Sequence, residues 1–121
     1  MQNLLHVNDQ LGSKDLFVAF KVQLTKDFRQ SNFQSDFIDT LEPDYDSIHE
    51  KIVHELQQTE KRAAANLMQL LYRVDISESQ LKKYLNEHSN ENHLMIVAEL
   101  IIKRVLQKVV IKEYYKKNNN P

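Results

Sequence analysis

Cysteine is absent from this 121-residue sequence, and glycine and proline are scarce, with one Gly and two Pro. Without cysteine, the chain forms no disulfide, no thiolate-based active site and no Cys-ligated zinc or iron–sulfur centre. β-Rich folds place many Gly and Pro residues in their turns. The scarcity of both therefore predicts long elements joined by few turns, which favours helices.

Several functional motifs are missing as well. A single glycine, Gly12, cannot build a Gly-rich phosphate-binding loop, and neither Gly-x-Ser-x-Gly nor His-Glu-x-x-His occurs. Charged residues such as Glu99 and Lys103 interrupt the most apolar stretch, 94–110, so no segment resembles a membrane span. Residues 1–12 lack the basic and apolar regions of a signal peptide. We therefore expect a cytoplasmic protein with no membrane partner and no nucleotide-dependent or hydrolase chemistry.

The composition, 41% hydrophobic and 27% charged, is typical of a globular protein, and the length predicts a single domain over 1–121. We predict an all-α fold, an irregular helical bundle of about five helices. Two helices are long (44–75 and 90–117), one is medium (13–30) and two are short (35–42 and 77–87). Residues 1–12 are predicted to form a flexible arm, and residues 118–121 a frayed tail.

Apolar spacing supports these helices. In 13–30 an apolar residue recurs every four positions, a helical period that runs longer than the strand-like alternation in 19–24. The 44–75 segment lacks Gly and Pro and carries one apolar stripe, made of Ile48, Ile52, Leu56, Ala63, Leu67, Leu70 and Val74. Ser77 and Gln80 form a capping box, which predicts a helix start. Residues 94–102 are apolar around the whole helix, so we expect them to lie inside the bundle.

A candidate metal site lies on the 44–75 helix, where Asp46, His49, Glu50 and His54 follow one another at helical spacing. Asp46 and His49 form half of a carboxylate–histidine motif, and Glu50 and His54 are spaced by four. The other predicted helices lack the matching second half. The alternative is a solvated helix start, with acids that complement the helix dipole. His49 is then a hydrogen-bonded residue at the edge of the core, and no metal or other cofactor is expected.

Charge is distributed unevenly along the chain. The segment 36–50 contains six acids and no Lys or Arg, whereas 103–117 contains six bases and one acid. Arg104, Lys108, Lys112 and Lys116 form a row at four-residue spacing. Three interpretations stay open for this row: a structural role opposite the acidic segment of the same or another copy, an acidic protein partner, or nucleic acid. Nucleic acid is the least favoured, because the net charge is −1 and no compact helix-turn-helix is present.

The function that we expect is that of a non-enzymatic helical interaction or structural protein that forms a homodimer. Helices of roughly 40–45 Å would overhang a compact globule of this size, leaving part of their apolar stripes bare. The expected interface is the stripe of Val105, Val109 and Val110, beside the basic row. Alternatives are a small metal-binding protein or enzyme that uses the Asp46/His49/Glu50/His54 face, and nucleic-acid binding through the last helix.

Overall fold

The computed structural model describes residues 4–60, 64–87 and 92–119, and every regular element in these ranges is a helix. The α-helices there are Leu4–Leu11 (α1), Lys14–Gln30 (α2), Tyr45–Glu60 (α3), Ala64–Arg73 (α4), Glu78–Glu87 (α5) and His93–Asn119 (α6). A 3₁₀ helix, Asp36–Thr40, lies between α2 and α3. The predicted all-α bundle is confirmed. None of the helices in the described ranges has both the length and the apolarity needed to cross a membrane.

The last helix, α6, is the centre of the bundle, with α2, α3 and α5 packed against it. Its first half is buried on nearly all sides, as the apolar run 94–102 predicted. Asn92 caps its start, because the Leu94 N–H donates to Asn92 Oδ1 over 2.9 Å. The helix therefore starts at His93 rather than at residue 90, and it continues to Asn119, through the first part of the predicted tail. Residues 120 and 121 lie outside the described residues.

The segment predicted as one helix over 44–75 is a pair of helices, α3 and α4, which pack against each other. Asp44 caps α3 by accepting the Ser47 N–H at 3.0 Å. Between Leu56 and Ala63 the apolar stripe is interrupted by six consecutive polar residues, 57–62. A straight helix would carry its second half away from the core, whereas a pair of helices brings Leu70 and Val74 into it. Residues 61–63 lie outside the described residues.

Residues 4–11, part of the segment 1–12 predicted as a flexible arm, form helix α1, and residues 1–3 lie outside the described residues. Val7 and Leu11 are fully buried in the common core, and α1 packs against α2 and α3. Asn8 Oδ1 accepts the Tyr45 N–H at 3.1 Å, and this hydrogen bond ties α1 to the start of α3. The burial of these two aliphatic side chains and the Asn8–Tyr45 hydrogen bond hold α1 against its neighbouring helices.

The short elements follow the predictions in part. Ser77 caps α5, since the Gln80 N–H donates to Ser77 Oγ at 3.1 Å. The predicted helix 35–42 is the shorter 3₁₀ helix, and Ser35 does not cap it. Instead, Ser35 Oγ accepts a hydrogen bond from Arg29 Nε at 2.9 Å. This contact ties the 3₁₀ helix to the end of α2.

Two helices end in a Schellman motif, the reversal that usually requires glycine. After α2, Asn32 has φ 65° and the Phe33 N–H donates to the Phe28 carbonyl at 2.9 Å. After α4, Asp75 has φ 62° and the Ile76 N–H donates to the Leu71 carbonyl at 2.9 Å. Asn and Asp are the residues, after glycine, that best tolerate this left-handed backbone. A chain with one glycine thus reverses direction with polar residues instead.

Candidate functional site

The basic row on α6 is engaged within the chain at the C-terminus of α4. Lys108 Nζ donates to the Arg73 carbonyl at 3.1 Å, and Arg104 Nε lies 3.4 Å from the Val74 carbonyl. Arg104 also lies 3.8 Å from the Asp75 carboxylate. The last carbonyls of a helix lack intrahelical partners and carry partial negative charge, so cations stabilise them.

The other two residues of the basic row, Lys112 and Lys116, follow on α6, where Lys112 contacts α2. Lys112 Nζ donates to Gln23 Oε1 at 2.9 Å, and Lys116, near the end of the helix, is exposed. Within the chain, the cations therefore contact backbone carbonyls, Gln23 and two carboxylates outside the acidic segment 36–50. All six acids of that segment are exposed.

One carboxylate beside the row, Asp27, is buried, with 4% of its surface exposed. Burial raises the pKa of Asp27, while Lys108, with its Nζ 3.8 Å from Asp27 Oδ2, acts in the opposite direction. Gln23 Nε2 donates to Asp27 Oδ1 at 3.1 Å. Sequence reasoning missed this group, although its position was a signal: Asp27 follows Phe20 by seven residues and Leu24 by three, on the buried stripe of α2.

A second polar cluster that the sequence did not reveal joins α5 to α6. The Tyr84 hydroxyl donates to Glu99 Oε2 at 2.6 Å, and Lys103 Nζ lies 3.4 Å from Glu99 Oε1. Lys103 is buried, so the carboxylate balances its charge inside the bundle. The Tyr84–Glu99 hydrogen bond joins the two helices, whereas the Lys103–Glu99 pair lies within α6.

The valines predicted as an interface do not form an exposed stripe. Val105 is fully buried, Val109 is 2% exposed, and Val110 is partly buried against the core. They face the chain's own core because α2 and α3 pack along α6. The exposed apolar side chains of this helix lie elsewhere, at Met95 in its first turn and at Ile111, Tyr114 and Tyr115 further along.

The four candidate metal ligands do not converge. Asp46 and Glu50 are exposed on the surface of α3. His49 Nε2 donates to the Met95 carbonyl at 2.7 Å, and the ring stacks on Tyr45 at a centroid distance of 5.5 Å. His54 Nε2 lies 2.9 Å from Gln58 Nε2. Among the described residues, no group of three His, Asp or Glu side chains is close enough to hold an ion.

Beside these residues lies a groove of about 720 Å³, here called the α3 groove. Its apolar lining is made of Phe37, Val53 and Met95, and the Met95 side chain is 46% exposed. Glu50 and Lys51 are among the charged residues that border it. Lys51 Nζ lies 3.3 Å from the Thr40 carbonyl, at the end of the 3₁₀ helix.

A second surface, here called the α2 face, consists of Val18, Lys21, Val22, Lys26 and Arg29. Val18 and Val22 are 52% and 66% exposed, and they border a depression of about 680 Å³. Three bases surround two exposed valines, so this face is both basic and apolar.

The 3₁₀ helix lies between these two surfaces. Asp39 borders the α2 face, whereas Phe37 and Thr40 border the α3 groove. A basic, apolar helix face and an apolar groove beside an acidic segment are therefore neighbours on the molecule.

The sequence matches no protein-family model, and no curated protein or solved structure is detectably similar to it.

Proposed function

We propose that this protein is a non-enzymatic helical interaction protein that self-associates and that uses the α3 groove as its docking surface. The observation that carries the proposal is a groove with a charged border and an apolar lining made of the exposed Met95 and the partly buried Phe37 and Val53. Protein interfaces combine an apolar centre with a polar rim in the same way. Met95 suits such a centre, because methionine adapts its shape to different partners.

Sedimentation equilibrium over a wide micromolar range tests the proposal. The expected result is an apparent mass that rises with concentration from that of one chain, 14.3 kDa, towards twice that value. A mass that stays at one chain throughout the range would overturn self-association.

A matched pair of variants tests the location of the interface. Met95→Ser removes an exposed apolar side chain from the groove, which should weaken association by about tenfold. Met68→Ser is the control, because Met68 is 52% exposed on α4 and does not line the groove. An equal effect of both variants, or no effect of Met95→Ser, would exclude the groove as the interface.

A further inference from the structure

Building on the proposed function, we infer that the α3 groove of one copy binds the α2 face of a second copy, and that a twofold axis beside the 3₁₀ helix relates them. The partner is thus another copy of this chain, and each copy contributes both halves of the contact. Charge, shape and the placement of the two surfaces carry the inference.

The charges of the two surfaces are complementary. Lys21, Lys26 and Arg29 lie on the α2 face, and the exposed Lys14 lies one turn before it. The groove is bordered by Glu50, the last of the six exposed acids in 36–50. Each surface has one exception. Lys51 borders the groove, and its Nζ donates to the Thr40 carbonyl and hydroxyl, while Asp39 borders the α2 face beside its three bases. Complementary potentials of this kind orient two partners and exclude wrong ones.

The shapes are also complementary. Val18 and Val22 are four residues apart, so they form one short ridge on α2. The groove offers Phe37, Val53 and Met95 as apolar contacts. A helix that places side chains at this spacing into an apolar groove is a recurrent mode of protein recognition.

The placement of the surfaces selects a closed dimer. The 3₁₀ helix borders the α2 face through Asp39 and the groove through Phe37. A twofold axis beside this helix places the α2 face of each copy on the α3 groove of the other copy. A twofold interface uses the same patch on each copy and therefore closes at two subunits, whereas a single face-to-groove contact would continue into a ring or a filament.

A charge exchange between two exposed residues tests the inference. Lys26→Glu and Glu50→Lys each create like-charge pairs at both contacts of the dimer, and each should raise the dissociation constant by about tenfold or more. An equimolar mixture allows a dimer that contains one copy of each variant. One contact of this mixed dimer joins the two substituted residues, whose charges are again opposite, and the other contact joins the native Lys26 and Glu50. The mixture should therefore regain the wild-type mass distribution. Lys83→Glu and Glu87→Lys, both exposed on α5, are the matched controls and should associate like the wild type.

The outcomes separate this inference from the proposed function. If the wild type dimerises but neither exchange weakens it, or the mixture does not recover, the face-to-groove contact is wrong and self-association stands. Masses that extend in a series beyond two chains overturn the twofold arrangement. If the wild type stays at 14.3 kDa, both proposals fall.

Discussion

Asn32 occupies a backbone conformation that most residues avoid, with φ at 65° after the end of α2. A left-handed conformation raises the energy of a residue with a side chain by about 1–2 kcal/mol, less for Asn than for others, and that of glycine hardly at all. We therefore expect Asn32→Gly to increase the free energy of unfolding by about 0.5–1 kcal/mol. Urea unfolding followed by circular dichroism measures the change.

The same substitution at a helical position, Asn86→Gly, is the control for this prediction. Asn86 is exposed and lies within helix α5, where its φ is not positive. Glycine at a helical position is unfavourable, so Asn86→Gly should lower the stability of the fold. A loss of stability in both variants would show that the conformation of Asn32 carries no strain.

Asp27 gives the stability of the fold a specific pH dependence. Burial raises its pKa above the ordinary value of 3.8, against the opposing effects of Lys108 and Gln23. Between the unfolded and folded pKa values, the folded chain therefore binds more protons at this site than the unfolded chain does. The contribution of Asp27 to stability is thus complete below its unfolded pKa, and it is lost as the pH rises through its folded pKa.

The variant Asp27→Asn isolates this contribution, because an amide does not titrate. Denaturant unfolding of both proteins from about pH 4 to pH 7 gives their stability difference at each pH. We expect the free energy of unfolding of Asp27→Asn to rise relative to that of the wild type as the pH rises. A difference that is constant, or that shifts towards the wild type, would contradict a raised pKa.

Helix α1 is an integral part of the core rather than an appendage. Leu11 is fully buried between α1 and its neighbours, so Leu11→Ala should lower the free energy of unfolding by about 2–5 kcal/mol. Asp9→Ala, at an exposed position of the same helix, should change it by less than about 0.5 kcal/mol. Urea unfolding compares the two, and equal small effects would mean that α1 is dispensable.

The sequence predicted the helices correctly where their apolar pattern or capping residues were distinctive. The apolar run 94–102 and the Ser77 capping box placed α6 and α5 correctly. The division of this segment into α3 and α4 was missed because no Gly or Pro marks it, although the polar run 57–62 interrupts the stripe. Helix α1 was missed because eight residues with three leucines and one valine show no clear period on their own. Its order depends on contacts with α2 and α3, which a local pattern does not contain.

The candidate surfaces were harder to predict than the helices. The basic row was correctly found on α6, but its contacts with the carbonyls of Arg73 and Val74 depend on where α4 ends in space. Helix α2 is apolar on two sides, and spacing alone does not show that Phe20 is buried while Val22 is exposed. Tertiary packing decides which side faces solvent.

At the scale of the whole molecule, net charge conceals a strong separation of charge. The total is −1, yet three bases lie on the α2 face, whereas Glu50 and Glu55 border the α3 groove on the other side of the 3₁₀ helix. The expected overhang of long helices applies only to α6, whose 27 residues extend about 40 Å. Because α3 and α4 form a packed pair, it is the two surfaces, rather than bare helix ends, that support the proposed self-association.

The central place of α6 also has a consequence for biosynthesis. A ribosome makes the chain from its N-terminus, so α1 to α5 exist before the helix on which α2, α3 and α5 pack. Until residues 93–109 emerge, the apolar faces of the earlier helices lack their central partner, and exposed surfaces of this kind aggregate or bind chaperones. The core is therefore completed only after the last helix has emerged, and a nascent chain arrested before His93 would expose apolar surface that chaperones recognise.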